Sequence, residues 1–481
     1  MLFNSIHFIV FFIVVTSAYF ALPYKYRWVL LLSASCYFYM AFVPVFILIL
    51  GFTIIVDYFA GIFIEQSDGK KRKLFLIASL IANIGVLVVF KYYNFMNENF
   101  TFLLKGFALE NPLPFLKILL PIGLSFHTFQ AMSYTIEVYR GNHKAERHFG
   151  IYALYVMFYP QLVAGPIERP QNILGQFYEK HDFDYDRVVN GLRLMLWGFF
   201  KKIVIADRLA VFVNEVYNQP NEYNGGAIWL STFFFAIQIY CDFSGYTDIA
   251  RGAARVMGYE LLLNFNRPYF ATSIKEFWSR WHISLSTWFR DYLYIPLGGN
   301  RVGVFRGYYN LFIVFLISGI WHGANWTYIV WGALHGFYIV FENGLYKAFP
   351  SLINFSKKSF LHKSVMLVIT FVLVDFAWLF FRANSIRDAF QLIKNGVNLS
   401  GGLTSFSINA YSGFINNWEL FFCFLFIAVL FLIEWVHRNS FEMYIKKLSI
   451  TKRWAYSIGI TLVILFFGIY GNDTQFIYFQ F

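Results

Sequence analysis

The chain has 481 residues, of which 58% are hydrophobic and 22% aromatic, and only 14% are charged, against roughly 25% in an ordinary soluble domain. This composition excludes a soluble protein. Apolar runs near the ~18 residues that cross hydrocarbon recur from end to end, which excludes a soluble domain on a single anchor; they are continuous and not alternating, which excludes a barrel. The net charge of +12 sits mostly in short loops between apolar runs, where the positive-inside rule accounts for it without nucleic acid.

The first run, Ser5 to Leu22, has no basic region before it and no small-residue cleavage site after it, and reads as a retained helix. Trp28 to Phe42 and Val45 to Ile64 follow, with Pro44 between them, and Leu74 to Phe90 makes a fourth run. Lys25, Arg27 and the consecutive Lys70 to Lys73 mark the cytoplasmic side, which places the N-terminus outside. Asp57 is a lone carboxylate in the third run, with two readings open: pairing with a basic group or facing water. Residues 94–114 read as polar and broken by prolines.

From Leu116 to Tyr139 a run carries His127, Gln130, Ser133 and Glu137 to membrane depth, with Pro121 and Gly123 interrupting it. YALYVMFYPQLVAGPIERP is too short and too broken for a span and suits a re-entrant or interfacial segment. After a polar loop over Gln171 to Asn190, apolar sequence resumes at Gly191 to Ile205 and at Gly225 to Cys241. The latter leads into YCDFSGYTDIARG, where Asp242, Ser244 and Asp248 form either a polar helix end or a wall of a polar site.

Asn264 to Arg301 is too charged to span and too aromatic for a free loop. Trp278, Trp281, Trp288 and Tyr292 recur at helical spacing beside Lys275, Arg280 and Arg290, which suits amphipathic helices at the membrane interface. The runs Tyr308 to Ile320 and Trp326 to Phe341 hold His322 and His335, each followed by a glycine and preceded by one three residues earlier. An ionisable ring in a span is a functional candidate, and small residues at this spacing let helix backbones approach; site and packing both remain open for the pair. Ser364 to Phe381, Asn417 to Val436 and Trp454 to Tyr470 complete about ten or eleven spans, plus one or two re-entrant pieces. Cys36, Cys241 and Cys423 lack metal or disulfide spacing and read as small packing residues.

FYPQLVAGPIERP, CDFSGYTDIARG, FWSRWHISLSTWFRDYLYIPLGGNR and SGIWHGANWTYIVWGALHG, in this order, resemble the membrane-bound O-acyltransferase family. The likeness is greatest to its bacterial branch of alginate O-acetylases, peptidoglycan O-acetylating proteins and teichoic-acid D-alanylation proteins. It covers nearly the whole chain, since MLFNSIHFIVFF and the terminal QFIYFQF also suit that branch. The resemblance implies an all-α polytopic fold: one membrane domain, with N-terminal helices over 1–115, a catalytic core over 116–345 and C-terminal helices over 346–481. In that family the helices surround a central funnel.

The resemblance also implies that His322, in WHG, is the family's intramembrane histidine and that His282, in WHISLS, is its companion. His335 matches no such position and reads as packing. Acyl transfer from a thioester to a hydroxyl needs a base as the hydroxyl loses its proton, and an imidazole kept from water stays neutral and able to accept it. Trp281, Trp321, Asn325, Trp326, Asp242 and Ser244 are candidates to line the substrate site. Arg280 and Arg290, with Lys275 and Arg301, suit either a phosphorylated donor or interfacial anchoring. The expected donor is acetyl-CoA, with no bound cofactor and no metal, since His282, His322 and Asp242 show no ligand spacing.

The resemblance further implies a bacterial inner-membrane protein that moves acetyl groups for O-acetylation of an exported polysaccharide, alginate-like or peptidoglycan. No GxSxG or GDS-type serine motif is present, so a separate periplasmic transferase of the SGNH-hydrolase kind is the expected partner, with lipids around the chain. Two alternatives differ in cargo or class. The same fold transfers D-alanyl or other acyl groups to teichoic acid or lipid, although the D-alanine branch has shorter chains; a transporter predicts two related halves, and no internal repeat is seen.

Overall fold

A computed structural model describes residues 1–117, 120–349, 360–398, 417–436, 448–470 and 476–477, all helical or irregular with no strand among them. Ile118 and Leu119, and all of QFIYFQF except Phe476 and Ile477, lie outside the described residues. Among the described residues seven helices are long and apolar enough to cross a membrane: residues 46–66, 69–106, 226–257, 304–322, 360–382, 417–436 and 450–467. The expected ten or eleven counted shorter or more polar helices as well, such as Ile6–Ala21 of 16 residues. The protein is an all-helical, multi-pass membrane protein.

The chain divides into two compact units, Met1–Met195 with Tyr246–Leu262, and Leu196–Gly245 with Leu263–Phe481. The first begins with α1 (Ile6–Ala21), α2 (Tyr24–Met40), α3 (Phe46–Gln66) and α4 (Gly69–Leu87). A π-turn over Val88–Tyr92 carries α4 into α5 (Tyr93–Gly106). The helix therefore runs well past Asn94, where the sequence reads as broken. Its prolines begin only at Pro112, and nothing before Gly106 removes a backbone donor.

Asp57 on α3 is fully buried and accepts from Ser79 Oγ at 2.6 Å and Asn83 Nδ2 at 2.9 Å on α4. Its partners are neutral donors, neither a cation nor water. The next helix, α6 (Leu124–Arg140), starts after Gly123, whose φ of 76° and close approach to Leu162 O, 2.9 Å from a would-be Cβ, both call for glycine. α7 (Phe149–Met157) is one short helix, and the segment from Phe158 to Arg169 is irregular yet buried. Side chains cover its polar groups, as expected of a re-entrant piece. Gln161 donates to Tyr155 O at 2.8 Å, Tyr155 Oη donates to Glu168 O at 3.1 Å, and Glu168 accepts from Leu262 N at 2.6 Å. Burial pushes the Glu168 carboxyl up to about 7.

α8 (Pro170–Ile173) and a 3₁₀ turn occupy the expected polar loop, and α9 (Tyr185–Phe199) passes through a π-turn into α10 (Asp207–Asn218). α11 (Gly226–Met257) is a single helix of 32 residues. Asp242 and Asp248 thus lie within a helix and not at its end, because CDFSGYTDIARG contains no proline and its one interior glycine is tolerated by close packing: a Cβ on Gly245 meets Gly198 O at 2.8 Å.

The second unit continues with α12 (Ile274–Arg280), α13 (Ile283–Phe289), α14 (Val304–His322), α15 (Trp326–Ala348), α16 (Phe360–Arg382), α17 (Ile386–Gly396), α18 (Asn417–Val436) and α19 (Ile450–Phe467). Trp278, Trp281 and Trp288 are buried, so these rings of the aromatic repeat of 264–301 pack into protein. α14 and α15 form a close hairpin. A Cβ on Gly319 meets Tyr328 O at 2.3 Å, and one on Gly332 meets Phe315 O at 2.5 Å, so the glycine spacing does what the sequence suggests. Gly332→Ala is expected to lower accumulation of folded protein and its melting temperature in detergent, whereas Gly344→Ala, open on all sides, should not.

Candidate active site

His322 is the last residue of α14 and is 4% exposed. Its ring lies edge-on to Trp321 and Trp331, with centroids 4.9 Å away in each case, and to Phe381 of α16 at 5.2 Å. The extended Gly323 ends the helix, and Asn325 starts the next: its side chain accepts from Thr327 N as the N-cap of α15. His322 therefore stands at the turn of the hairpin, surrounded by rings.

His282 lies between α12 and α13 and is fully buried. Its backbone is left-handed, φ 42° and ψ 54°, which a side-chain-bearing residue adopts only where its surroundings impose it, often at a functional site. The source of the constraint is Asn264: its carbonyl accepts from Ile283 N at 2.9 Å, and its Oδ1 accepts from Ser284 N at 3.1 Å. That asparagine supplies the N-terminal acceptors of α13 from a distant strand of coil. The His282 ring packs on Phe243 at 4.7 Å and faces Trp321 at 6.4 Å. Trp321 thus neighbours both imidazoles, so the structure brings His282, Trp321 and His322 together.

The other predicted residues are distributed around this core. Trp281, buried, packs on Phe277, Phe265 and Trp378 at 5.0–5.5 Å. Asp242 and Ser244 flank Phe243 on α11 but are engaged with lysines: Asp242 with Lys202 at 2.6 Å and with the Ile477 backbone N at 2.7 Å, Ser244 with Lys201 Nζ at 2.9 Å. Arg280 is paired with Glu276, and Arg290 with its neighbour Asp291. Asn325 is occupied as a helix cap, and Trp326 has 50% of its surface exposed. For these residues the contacts seen are structural ones.

His335 is fully buried and accepts the Trp278 indole N–H at Nδ1, 3.2 Å, in keeping with packing. Sequence reasoning did not single out Asn264, Phe243, Trp331 or Phe381. Trp331 and Phe243 had a legible signal, since they fall within the quoted WHGANWTYIVWGALHG and CDFSGYTDIARG.

Burial pushes the His282 imidazole down to about 3, so it is neutral at physiological pH. With the folded value below the ordinary 6.5, the unfolded chain binds a proton between those limits that the folded protein refuses. Stability is full above about pH 6.5 and falls as the pH drops towards 3. His282→Gln is therefore expected to flatten the loss of melting temperature between pH 7.5 and 5, read by thermal denaturation in detergent.

His282 and His322 thus lie in a buried, ring-lined interior of an apolar helical protein. The chain belongs to the membrane-bound O-acyltransferase family, whose model matches residues 116–383, and is an acyltransferase. It is similar to "Probable alginate O-acetylase AlgI" of Pseudomonas aeruginosa, 40% identical over 373 residues that cover 77% of this chain and 69% of that protein. It is also similar to the peptidoglycan O-acetyltransferase of Helicobacter pylori, at 36% over 398 residues, 77% of this chain and 74% of the other. The teichoic acid D-alanyltransferase of Bacillus subtilis is 30% identical over 253 residues, 48% of this chain and 62% of the other.

Proposed function

We propose that this protein takes an acetyl group from acetyl-CoA on the cytoplasmic side and passes it through the bacterial inner membrane for O-acetylation of an exported envelope polysaccharide. The observation that supports this most is the juxtaposition of buried His282 and His322 around Trp321. In this reading His322 accepts the hydroxyl proton as the thioester carbonyl is attacked, and His282 orients the carbonyl or takes part in proton transfer. Trp281 and Trp321 shape the pocket. One membrane domain carries the reaction, with 116–345 as its catalytic core and the N-terminus outside. A periplasmic transferase of the SGNH-hydrolase kind completes the delivery.

An acetyl cargo is favoured over D-alanyl because the O-acetylating relatives match 77% of the chain and two D-alanylating ones 48% and 56%. The test is a proteoliposome loaded with labelled acetyl-CoA, with the polysaccharide outside. Label should reach polymer only when the periplasmic partner is added. Transfer of label by the membrane protein alone would remove the partner, and transfer of D-alanyl but not acetyl would overturn the cargo.

A further inference from the structure

FRANS, the elbow between α16 and α17, has no part in the reading above, yet it touches the His322 turn in two ways. Phe381 packs on His322 at 5.2 Å and on Tyr328 at 5.0 Å, while a Cβ on Gly323 would strike the Tyr328 ring at 2.1 Å. The turn and the elbow are thus in contact through rings.

The second contact is polar. Asn325 Nδ2 donates to Asn384 O at 3.0 Å. Asn384 Nδ2 donates in turn to Asn218 Oδ1 at 3.1 Å, at the end of α10. Arg382 bridges the whole, donating to Asn384 Oδ1 at 3.2 Å and to Asn214 Oδ1 at 2.8 Å. The planar guanidinium spans the two acceptors from two of its nitrogens.

We propose that the elbow Phe381–Ser385 is a positioning device for His322. Asn325 and Asn384 are the hydrogen-bonded link between the WHG turn and the end of α10. The inference rests on His322 as the base. Phe381 sets the imidazole against Trp321 and Trp331, and the Asn325–Asn384–Arg382 clasp fixes where the α14–α15 turn stands relative to α10. The clasp is formed by half-exposed and exposed side chains. Its hydrogen bonds therefore add little to stability, whereas a displacement of the base of about 1 Å lowers turnover steeply.

Asn325→Asp separates capping from clasping, because aspartate still caps α15 but has no N–H to give Asn384 O. We expect Asn325→Asp and Asn384→Ala each to lower turnover by about tenfold or more, with unchanged KM for the acyl donor and unchanged melting temperature. The double variant should be no slower than the slower single one, since Asn325→Asp breaks the bond to the Asn384 carbonyl and Asn384→Ala the side-chain bonds to Asn218 and Arg382, two joints of one chain. The rate at which diethylpyrocarbonate modifies His322, followed by mass spectrometry of its peptide, should change in both variants. This readout needs no catalysis, so it stands even if His322→Ala retains transfer and the base assignment falls.

If Asn325→Asp fails to accumulate, Arg382→Met removes the donors to Asn384 and Asn214 from the same clasp and should show the same split. Wild-type turnover in Asn325→Asp or Arg382→Met, multiplicative losses in the double variant, or an unchanged rate of His322 modification would each overturn the proposal.

Discussion

Replacing His322 with alanine is expected to lower acyl transfer by about 10²–10⁴-fold, the range supplied by a positioned general base, while folded protein still accumulates in the membrane. The measurement is the ester content of the polymer together with detergent-extracted yield. His322 ends α14 instead of sitting within it, so truncation removes no helical hydrogen bond and leaves the glycine-packed hairpin intact. The cost to folding includes lost contacts with Trp321, Trp331 and Phe381. Normal ester content in the variant sinks the assignment. His282→Ala should also lose activity, but with a larger loss of stability, because its ring packs on Phe243 and it joins α12 to α13 from a left-handed backbone.

How far these features were legible in the sequence differs from element to element. The spans α3, α4, α14 and α18 were readable because a long apolar run leaves a helix no alternative in lipid. The end of the helix at Gly106 and the single helix through Asp242 were not, because polarity was taken for interruption where neither a proline nor a glycine at positive φ stands. Gly123 is the counterexample, a break that the sequence did signal.

The histidines were visible as motif residues, but their convergence on Trp321 was not, since it depends on the non-local Asn264, which forms the α13 N-terminus from outside its helix. The same holds for the aromatic repeat of 264–301. Helical spacing of tryptophans is common to an interfacial helix and a buried one, and only the packing of Trp278 and Trp281 against Trp331 and Trp378 decides between them. His335 shows the reverse: the glycine frame made it equal to His322, and one hydrogen bond from Trp278 explains why it is buried.

The largest expected loss of stability lies at Lys202. Its ammonium is 2.8 Å from Asp207 and 2.6 Å from Asp242, and all three side chains are at most 6% exposed. One cation thus compensates two carboxylates in an interior where water is scarce. Lys202→Met leaves both carboxylates buried without it, and breaking a buried ion pair in this way costs about 3–5 kcal/mol. The variant is expected to accumulate poorly and to melt well below the parent in detergent.

The triple change Lys202→Met, Asp207→Asn, Asp242→Asn removes the three charges together, and should regain part of that stability because neither carboxylate is left buried without the ammonium. Activity should not return with it. Asp242 also accepts from the Ile477 backbone and precedes Phe243, whose ring lies 4.7 Å from His282. The lysine thereby fixes the part of α11 against which the second histidine rests. A triple variant that is stable and slow separates the two roles; one as unstable as Lys202→Met alone shows that the ammonium holds this part of the fold by something other than charge compensation.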